Sequence, residues 1–512
     1  MGRVLVLAGS PNFHVCTAIE KLTDLGWRTD IFISADKLDS FPVSLTNANV
    51  VSSGRSGKLL LEDTNRLPPN YDYAFVVCTV NNLHGSGYLN FGEIISGLGF
   101  KQFFLFNIQE QVISGDATYW TLLDRQLRVK LCAAGEGDLL KKNAKYRILV
   151  DGTQLAGKLA GLGHFTYMLC RELSENADFE VFVLCASPDM LDGINAKFVY
   201  LDLFPDSEEV AEALNDFIEN NSITVYVGTY RALPRVLRCR SLMIIHDLIA
   251  LKFPHFSDSA KSYTYFDVAL RRSVRDATKV VTISESTKRD VITYFDISDQ
   301  KISIIYPGPG RVSIAASNND SEIVRSQNGN YILYVGTIEP RKGVRTLLGA
   351  YDLARKAIPN VLSQPFPELV LVGAYGWGCS IEYEWINAPD AKNIRHLGYV
   401  TDEQLVKLYE GALFVVYPSQ CEGFGLPVLE AMLFGVPVIT TLTSSLPEIG
   451  GNSVIYVPPS DEGALAHEML RLVSDATRRK TLSESGRRRS KRFSWEKFGT
   501  KLSDLINEIG SS

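Results

Sequence analysis

Short runs of aliphatic and β-branched residues alternate along the chain with amphipathic stretches of about 10–15 residues. This alternation is typical of βαβ units, which build parallel sheets. It predicts three α/β blocks, at residues 1–145, 146–310 and 331–512. Residues 311–330 are polar and aperiodic, and we predict that they form a linker. The chain shows no repeat with a period of about 20–50 residues, so a solenoid is not expected.

Buried runs within each block predict the individual strands. In the first block they lie at residues 3–8, 29–34, 72–79 and 102–106, with helices predicted over 14–25 and 117–142. In the second block they lie at 146–151, 180–185, 223–227, 242–246, 279–283 and 302–305, and a glycine-rich loop at 157–163 precedes a helix over 164–174. In the third block they lie at 331–335, 369–372, 394–397, 413–417, 436–440 and 454–457, with helices from 461 to 509.

Composition and charge narrow the class of protein. The chain has 512 residues, of which 46% are hydrophobic and 21% charged, as in globular proteins. A net charge of −6 gives no overall attraction to nucleic acid, so we predict no nucleic-acid partner. No uncharged stretch is apolar enough to span a bilayer, and the first apolar run is too short for a secretory signal. The eight cysteines are scattered without a C-x-x-C pair, which is typical of reduced thiols, and we predict a cytoplasmic protein.

One strand–loop–helix segment of the third block carries candidate chemistry. The buried strand at 413–417 runs into a loop with two glycines, and a helix with Pro427 in its first turn follows. Free backbone N–H groups at such a helix start, beside the carboxyl end of a parallel strand, bind phosphate. Glu430 lies in the first turns of this helix, where it can accept hydrogen bonds from ribose hydroxyls, and Glu422 lies eight residues earlier in the loop. Taken alone, both glutamates could also be a solvated loop residue and a residue favoured by the helix dipole.

The same segment resembles a known family. Residues 422–432 resemble the E-x7-E motif of the large retaining GT-B glycosyltransferase family, which includes bacterial mannosyltransferases and sucrose synthase. Further segments resemble other landmarks of that family, in order: residues 151–167, 245–248, 282–289, 331–343, 371–377, 394–400, 443–448 and 493–497. The resemblance covers about residues 146–508 and leaves out the first block.

The resemblance implies a fold and an activity. The fold would be two facing Rossmann-like domains, 146–310 on the acceptor side and 331–512 for the nucleotide sugar, preceded by an extra Rossmann-like α/β domain. The activity would be transfer of a hexose from a nucleotide diphosphate sugar, a co-substrate rather than a cofactor, to a hydroxyl of a glycan or lipid-linked glycan. GDP-mannose is the expected donor. In the family's usual retaining mechanism the leaving phosphate accepts the acceptor proton on the same face, so we assign no separate general base.

The resemblance also assigns residues. The expected catalytic residues are Glu422, Lys342 and His246, with His246 facing the donor sugar and Lys342 at the leaving diphosphate. The expected donor-binding residues are Gly161, Gly163, Gly336, Thr337, Arg341, Lys342, Tyr399, Val400, Gly423, Phe424, Gly425, Leu426 and Glu430. The family usually has an arginine directly after the glycine that corresponds to Gly336. Here that position is Thr337, and we expect Arg341 to compensate for the missing positive charge.

Two absent patterns and one basic run complete the sequence picture. No Asp-x-Asp triplet occurs, so we predict no metal ion, and no G-x-G-x-x-G follows a strand, which argues against dinucleotide oxidoreduction. The basic residues of 487–492, together with Arg271, Arg272 and Arg275, indicate either a solvated helix face or a surface attracted to an anionic membrane or a pyrophosphate lipid. The second interpretation predicts peripheral contact with the inner membrane face.

Three alternatives remain open from the sequence. One is a different outcome at the same site, such as phosphorolysis or synthesis of a disaccharide phosphate. Another is a non-hydrolysing sugar-nucleotide epimerase, which shares the fold but does not need the two glutamates. The last is a catalytically decayed nucleotide-sugar-binding scaffold, with Thr337 as the mark of decay. The first block gives no phosphate fingerprint, and we interpret it as a structural or partner-binding domain in which residues 81–87 could line a site.

Overall fold

The computed structural model describes six strands between residues 3 and 116, and residues 144–511 apart from 156–160, 186–190, 192, 201–207, 254–265, 311, 313–330, 358–364 and 389–392. The described strands form three separate sheets. The alternation of strands and helices in the sequence therefore correctly predicted an α/β protein built on parallel sheets.

The first sheet has the strand order β3-β2-β1-β4-β5-β6. Its strands are β1 (Arg3–Ala8), β2 (Arg28–Ile33), β3 (Ala48–Ser52), β4 (Tyr73–Thr79), β5 (Gln102–Phe106) and β6 (Val112–Asp116). All neighbours are parallel except β5 and β6, which are antiparallel. The sequence did not predict β3 or β6, and the helices predicted over 14–25 and 117–142 lie outside the described residues.

The second sheet is entirely parallel, in the order β13-β12-β11-β10-β7-β8-β9. Its strands are β7 (Tyr146–Asp151), β8 (Phe179–Cys185), β9 (Lys197–Tyr200), β10 (Val225–Gly228), β11 (Arg240–Ile245), β12 (Lys279–Thr282) and β13 (Ile302–Ile304). All seven residues of β8 are buried, as expected where helices cover both faces of a parallel sheet. β9 was not predicted, since only four residues carry its pattern.

The third sheet is also parallel, in the order β16-β15-β14-β17-β18-β19. Its strands are β14 (Tyr331–Val335), β15 (Glu368–Val372), β16 (Ile394–His396), β17 (Ala412–Tyr417), β18 (Val438–Thr441) and β19 (Ile455–Val457). Each coincides with a predicted strand to within one or two residues at most ends.

Helices cover the second and third sheets. Those around the second sheet are α1 (Gly161–Glu175), α2 (Glu208–Asn220), α3 (Ile249–Lys252), α4 (Arg271–Asp276) and α5 (Glu285–Phe295). Those around the third are α6 (Val344–Ala357), α7 (Ser380–Ile386), α8 (Asp402–Gly411), α9 (Leu426–Leu433), α10 (Leu446–Gly450), α11 (Glu462–Ser474), α12 (Ala476–Ser490) and α13 (Trp495–Gly510). No helix in the described part of the chain is both long and apolar enough to cross a membrane.

Local side-chain caps explain several helix starts. Ser284, Asp461 and Ser494 each accept a hydrogen bond from a backbone N–H in the first turn of α5, α11 and α13. Thr401 and Gln404 form a reciprocal capping box at the start of α8. These polar residues satisfy donors that the helix itself leaves unpaired.

The start of α1 corrects one sequence prediction. We expected a glycine-rich loop over 157–163 and a helix from 164, but α1 begins at Gly161, so Gly161 and Gly163 lie in its first turn. Gly163 is buried there, on the same helix as Phe165 and Met168, whose side chains pack in the core. The apolar stripe of the helix therefore starts earlier than the glycines suggested.

The last helix crosses from the third sheet back to the second. Phe165 of α1 packs edge-on against Trp495 and Phe498 of α13, with ring centroids 5.5 and 5.4 Å apart. The Tyr146 hydroxyl lies 2.7 Å from the Ser511 hydroxyl, and Trp495 Nε1 donates to Pro309 O at 2.7 Å. One buried hydrophobic cluster consequently runs through residues of both sheets.

Candidate active site

The candidate site lies at the carboxyl edge of the third sheet, where three loops meet. Residues 336–343 follow β14, residues 418–425 follow β17, and residues 442–445 follow β18. Neighbouring parallel strands end at the same edge, which is where open α/β sheets bind their ligands. The edge therefore gathers residues that are far apart in the chain.

Glu422 is the centre of the site. Lys342 Nζ lies 2.8 Å from Glu422 Oε1, and Arg341 Nη1 lies 3.1 Å from Glu422 Oε2. The hydroxyls of Tyr417 and Ser419 donate to Oε1 at 2.7 and 2.6 Å. The Glu422 side chain is only 9% exposed, so these charges interact away from bulk water. The structure thus brings together the predicted residues Glu422, Lys342 and Arg341.

The neighbours of Glu422 decide its ionisation. Burial by itself would raise the pKa of this carboxyl, but the charges of Lys342 and Arg341 and the hydrogen bonds from Lys342 and Ser419 outweigh burial and lower the pKa to about 2. Burial, and then the negative charge of Glu422, raise the pKa of Tyr417 well above its usual value. At neutral pH Glu422 is therefore a fixed anion and Tyr417 a fixed hydrogen-bond donor.

Arg341 is held by protein groups on several sides. Its Nη2 lies 2.6 Å from Glu339 Oε1, and its Nη1 donates to Cys421 O at 2.8 Å as well as pairing with Glu422. This guanidinium joins the loop after β14 to the loop after β17. Thr337 lies exposed on the first of these loops, and its carbonyl accepts a hydrogen bond from the Tyr334 hydroxyl at 3.0 Å. Compensation of Thr337 by Arg341 stays a prediction.

Lys342 keeps one donor for a ligand. Its Nζ donates to the Tyr417 hydroxyl and to Glu422 Oε1, both at 2.8 Å. An ammonium group has three N–H donors. These two hydrogen bonds use two of them, so the third N–H of Lys342 can donate to a ligand. The two cations at 341–342 balance the two carboxylates of Glu339 and Glu422.

Three serines support the loop of Glu422, and sequence reasoning missed them. Ser444 Oγ accepts from the Glu422 backbone N–H at 2.8 Å. Ser445 Oγ donates to Phe424 O at 2.7 Å and lies 3.0 Å from Glu422 O, while Ser419 donates directly to the carboxylate. The sequence did contain a signal for these serines. Ser419 follows β17 and Ser444–Ser445 follow β18, and these neighbouring parallel strands end at the same edge of the sheet.

The start of α9 holds most of the remaining predicted donor ligands. Gly425 is the N-cap residue, with φ 114°, and Leu426 and Pro427 open the helix. Pro427 has no N–H, and the Val428 N–H donates to Gly425 O at 3.0 Å, so Leu426 supplies the backbone N–H at the opening of the helix. The Phe424 ring is buried and packs beside Phe493, with centroids 5.7 Å apart.

Glu430 lies deeper than Glu422. It is buried, and the Tyr409 hydroxyl donates to its Oε2 at 2.8 Å. Its other carboxylate oxygen lies against Gly310, in the segment that leaves the second sheet. The role of Glu430 at a ribose stays a prediction, and Tyr409, a partner that the sequence did not indicate, fixes the orientation of its carboxylate.

His246 brings the second sheet to the site. It follows β11, and its Nε2–H donates to Thr229 O at 2.7 Å while its ring packs edge-on to Phe165 at 4.5 Å. Burial lowers the pKa of His246, despite the carbonyl of Thr229 and the charge of Asp247, which act in the opposite direction. A neutral imidazole with its proton on Nε2 leaves Nδ1 as an acceptor.

The two sheets touch backbone to backbone at Gly423. A Cβ atom at this position would collide with the carbonyl oxygen of His246 and lie 3.1 Å from Cβ of Asp247. Thr287 Oγ1 donates to the same His246 carbonyl at 3.1 Å. The predicted residues Gly423 and His246 are therefore adjacent across the cleft.

Glu448 makes a second connection across the cleft. Its carboxylate accepts hydrogen bonds from the backbone N–H groups of Glu285 and Ser286, at 2.8 and 3.1 Å, at the start of α5. The Tyr306 hydroxyl donates to the same carboxylate at 3.2 Å. A carboxylate of one domain thereby binds the positive end of a helix of the other.

The other predicted ligands follow strands of the third sheet or open a helix of the second domain. Tyr399 and Val400 follow β16; the tyrosine is 53% exposed and the valine is buried. Gly336 follows β14, and Gly161 and Gly163 open α1. In the described part of the chain no group of three or more His, Cys, Asp and Glu side chains is arranged to hold a metal ion. Metal independence of the reaction stays a prediction from the sequence.

Comparison with known proteins agrees with this architecture. A family model described as "Glycosyl transferases group 1" matches residues 317–489, the region of the third sheet. A model described as "Glycosyltransferase Family 4" matches residues 154–309, the region of the second sheet.

Curated relatives include two bacterial enzymes. O-antigen chain mannosyltransferase B of Escherichia coli is 32% identical over 290 residues, which cover 54% of this chain and 72% of the relative. The serotype-specific mannosyltransferase WbdA of Escherichia coli is 27% identical over 405 residues, which cover 68% of this chain and 46% of the relative. This chain therefore matches about half the length of WbdA.

A solved structure shows the same fold. HepE of Anabaena, in complex with UDP-glucose, superposes with a TM-score of 0.54 at 16% sequence identity, covering 71% of this chain and 99% of that chain. Two facing Rossmann-like sheets with the site between them define a GT-B glycosyltransferase. The chain belongs to the glycosyltransferases group 1 family, as the E-x7-E resemblance predicted.

Proposed function

We propose that the protein transfers a mannosyl group from GDP-mannose to a hydroxyl of a glycan or lipid-linked glycan acceptor, with retention of the anomeric configuration. The observation that carries the proposal is the buried Glu422–Lys342–Tyr417 cluster at the carboxyl edge of the nucleotide-side sheet. The curated relatives, which are mannosyltransferases of O-antigen chains, support the sugar and the class of acceptor.

Leaving-group stabilisation is the main task of the site in this proposal. The bond between the anomeric carbon and the diphosphate oxygen breaks, and negative charge grows on the diphosphate. The third N–H of Lys342 and the backbone N–H of Leu426, at the start of α9, are the donors at that edge. Hydrogen bonds from these donors are strongest in the transition state, when the negative charge on the diphosphate is growing. They therefore lower the reaction barrier rather than only tighten donor binding.

The proposed proton transfer needs no separate general base. The acceptor oxygen bonds to the anomeric carbon on the face that the diphosphate leaves, and the acceptor proton passes to the departing phosphate oxygen. Glu422 is ionised and already accepts hydrogen bonds from several groups, so it orients donors instead of giving a proton. His246, neutral and fixed through Nε2, would present Nδ1 as an acceptor for a hydroxyl of the donor sugar.

The remaining donor contacts are assigned in the same way. Gly161 and Gly163 would approach the diphosphate from the second sheet, and Gly336 and Thr337 from the third. Tyr399 and Val400 would contact the base, Glu430 the ribose, and backbone groups of 423–426 the phosphates. We place the enzyme at the cytoplasmic face of the inner membrane, as a peripheral protein, because its acceptor is expected to be lipid-linked.

A donor survey tests the proposal. Purified protein is incubated with GDP-, UDP- and ADP-sugars, and released nucleotide, free sugar and sugar phosphate are measured. We expect slow release of GDP from GDP-mannose alone, and a rate lowered on the order of 10²-fold in Lys342→Ala. Faster release from a UDP-sugar would overturn the choice of donor. Inversion at the sugar C2 would indicate an epimerase, sugar phosphate formation would indicate phosphorolysis, and binding without turnover would indicate a scaffold.

Metal independence is tested in the same assay. The prediction rests on the absent Asp-x-Asp pattern and on the cations of residues 341–342, which can neutralise a diphosphate without an ion. We expect transfer in EDTA at the same rate as in added Mg²⁺ or Mn²⁺. Complete loss of transfer in EDTA, restored by either metal, would show that the prediction is wrong.

A further inference from the structure

The four arginines of residues 487–492 divide into two structurally different pairs. Arg487 Nη2 donates to Phe434 O at 2.9 Å, at the end of α9. Arg489 Nη2 donates to Glu448 O at 2.6 Å, in the last turn of α10. Helices leave carbonyls unpaired at their carboxyl ends, so these two arginines act as helix caps.

Gly451 makes the second cap possible. It follows α10 with φ 53°, and a Cβ atom there would collide with the Arg489 guanidinium. The guanidinium therefore lies against the backbone at the end of α10. Its charge stays fixed at this place in the fold.

Arg488 and Arg492 form the other pair. Both side chains are exposed, and neither makes a hydrogen bond or an ion pair with any residue that the structure describes. They stand one turn apart at the end of α12, on either side of Arg489 in the sequence. Two cations that form no ion pair with a described residue thus stand beside a third whose guanidinium donates to helix carbonyls.

These arginines line a surface depression of about 400 Å³. Its lining consists of Asn452, Ser453, Ser485, Arg488, Arg489 and Arg492. The lining has three guanidinium groups, two hydroxyls and one amide, and none of its residues is acidic. None of them belongs to the candidate active site.

The charges of the depression repel each other. Burial, and next the positive charge of Arg492, lower the pKa of Arg489. The charge of Arg492 also acts on the nearby Tyr306. An anion bound between the guanidinium groups would remove this repulsion, and the hydroxyls and the amide would complete its hydrogen bonds.

We propose that the depression formed by Arg488, Arg489 and Arg492 with Asn452, Ser453 and Ser485 binds a phosphoryl group. Guanidinium groups pair with phosphate oxygens through two parallel N–H donors, and a tetrahedral dianion has enough oxygens to accept from more than one guanidinium group at once. A soluble phosphate compound and the headgroup of an anionic phospholipid share this chemistry. The site is separate from the donor site and does not depend on the identity of the donor.

The test uses the full-length protein and two probes. Inorganic pyrophosphate is titrated calorimetrically, and flotation measures binding to vesicles of phosphatidylglycerol against phosphatidylcholine. The variants are Arg488→Gln/Arg492→Gln and a matched control, Lys480→Gln/Lys501→Gln, which removes the same charge from two exposed lysines outside the depression. Lys342→Ala is included so that pyrophosphate bound at the active site can be recognised.

We expect pyrophosphate affinity to fall by about 10-fold or more in the arginine variant and to persist in the lysine control and in Lys342→Ala. Vesicle binding lost only in the arginine variant identifies a lipid headgroup as the source, and pyrophosphate binding without vesicle binding identifies a soluble phosphate. Equal losses of binding in the arginine and lysine double variants would show that overall charge causes the effect, and would overturn the proposal. Absence of binding to both probes in the wild type would also overturn it.

Thermal melting shows whether the Arg488→Gln/Arg492→Gln protein is folded. If it is not, a second variant still tests the proposal. Arg488→Lys/Arg492→Lys keeps both charges and removes the paired donors. We expect it to weaken pyrophosphate binding several-fold, because a lysine donates as a point charge. Unchanged affinity in this variant would contradict a guanidinium-specific phosphoryl site.

Discussion

At the scale of single residues, the two glutamates of the E-x7-E motif differ in their surroundings. Glu422 is bound by two cations and by the hydroxyls of Tyr417 and Ser419, close to the expected position of the diphosphate. Glu430 is bound by Tyr409 and lies farther along α9. In the reaction we propose, the first glutamate therefore acts at the leaving diphosphate and the second acts away from the reacting bond.

This difference predicts different kinetic defects. We expect Glu430→Gln to weaken donor binding about 10- to 150-fold, the cost of one charged hydrogen bond, with a smaller effect on kcat. We expect Glu422→Gln and Lys342→Ala to lower kcat on the order of 10²-fold, because they disturb stabilisation of the leaving diphosphate. Steady-state kinetics and direct donor titration measure both quantities.

Glu484→Gln, an exposed residue of α12, is the matched control and should leave both quantities unchanged. Full turnover in Glu422→Gln, together with loss of turnover but unchanged donor affinity in Glu430→Gln, would reverse the two roles.

The low pKa of Glu422 predicts a pH dependence of stability. Its folded pKa of about 2 lies below the usual value of 4.5, so the ionised group stabilises the folded protein fully above about pH 4.5. That contribution, about 3 kcal/mol, should be lost as the pH falls from 4.5 towards 2. Urea unfolding of the wild type and Glu422→Gln between pH 7 and pH 3 measures it, and the variant should lose less stability than the wild type. Parallel losses in both proteins would show that Glu422 is not responsible.

At the scale of elements, the site forms where the loop after a strand of the second sheet contacts the loop after a strand of the third sheet. The loop after β11 carries His246 and the loop after β17 carries Gly423, and their backbones are in contact. Glu448 on α10 and the start of α5 form a second contact across the same cleft. Small groups at these points therefore set how closely the two Rossmann-like domains approach.

Gly423→Ala tests this closure. Its methyl group would collide with the His246 carbonyl, and a steric conflict of about 1–3 kcal/mol should hold the cleft open and lower kcat/KM about 5- to 150-fold. Each domain should stay folded, since the conflict lies between domains. Kinetics, thermal melting and the radius of gyration from small-angle scattering measure these outcomes.

Gly463→Ala is the control, because a Cβ atom there would meet only Asp461 Oδ1 at 3.5 Å, an ordinary contact. Wild-type kcat/KM in Gly423→Ala would show that the domains need not approach this closely for transfer.

At the scale of the whole molecule, the family match and the site occupy the second and third sheets. The two family models cover residues 154–309 and 317–489, and the site residues come from the same two regions. The helix α13 fastens these regions together by returning to pack on α1. The first sheet, with its antiparallel edge strand β6, lies outside both matched regions.

We therefore predict that a protein beginning near Lys141 still binds the nucleotide sugar. The two facing domains should suffice for donor binding, although an apolar face left by the missing block would lower solubility. Calorimetric titration of the truncated protein with GDP-mannose, beside the full-length protein, is the measurement. A folded truncated protein that does not bind the donor would show that the first block contributes to the donor site.

The sequence by itself determined the parallel α/β architecture and the loops that carry Glu422, Lys342 and His246. Local patterns suffice for this, because buried parallel strands are continuous apolar runs and the loops after them share one edge. Only the tertiary structure decided that Ser444 and Tyr409 hold Glu422 and Glu430, and that Arg487 and Arg489 of the basic run are helix caps. These contacts join groups far apart in the chain, such as Lys342 and Glu422 or Pro309 and Trp495, whose meeting depends on how sheets and helices pack. Hydrophobic periodicity specifies which face of an element is buried but not which polar side chain of a distant loop faces it, so those partners exist only in the folded molecule.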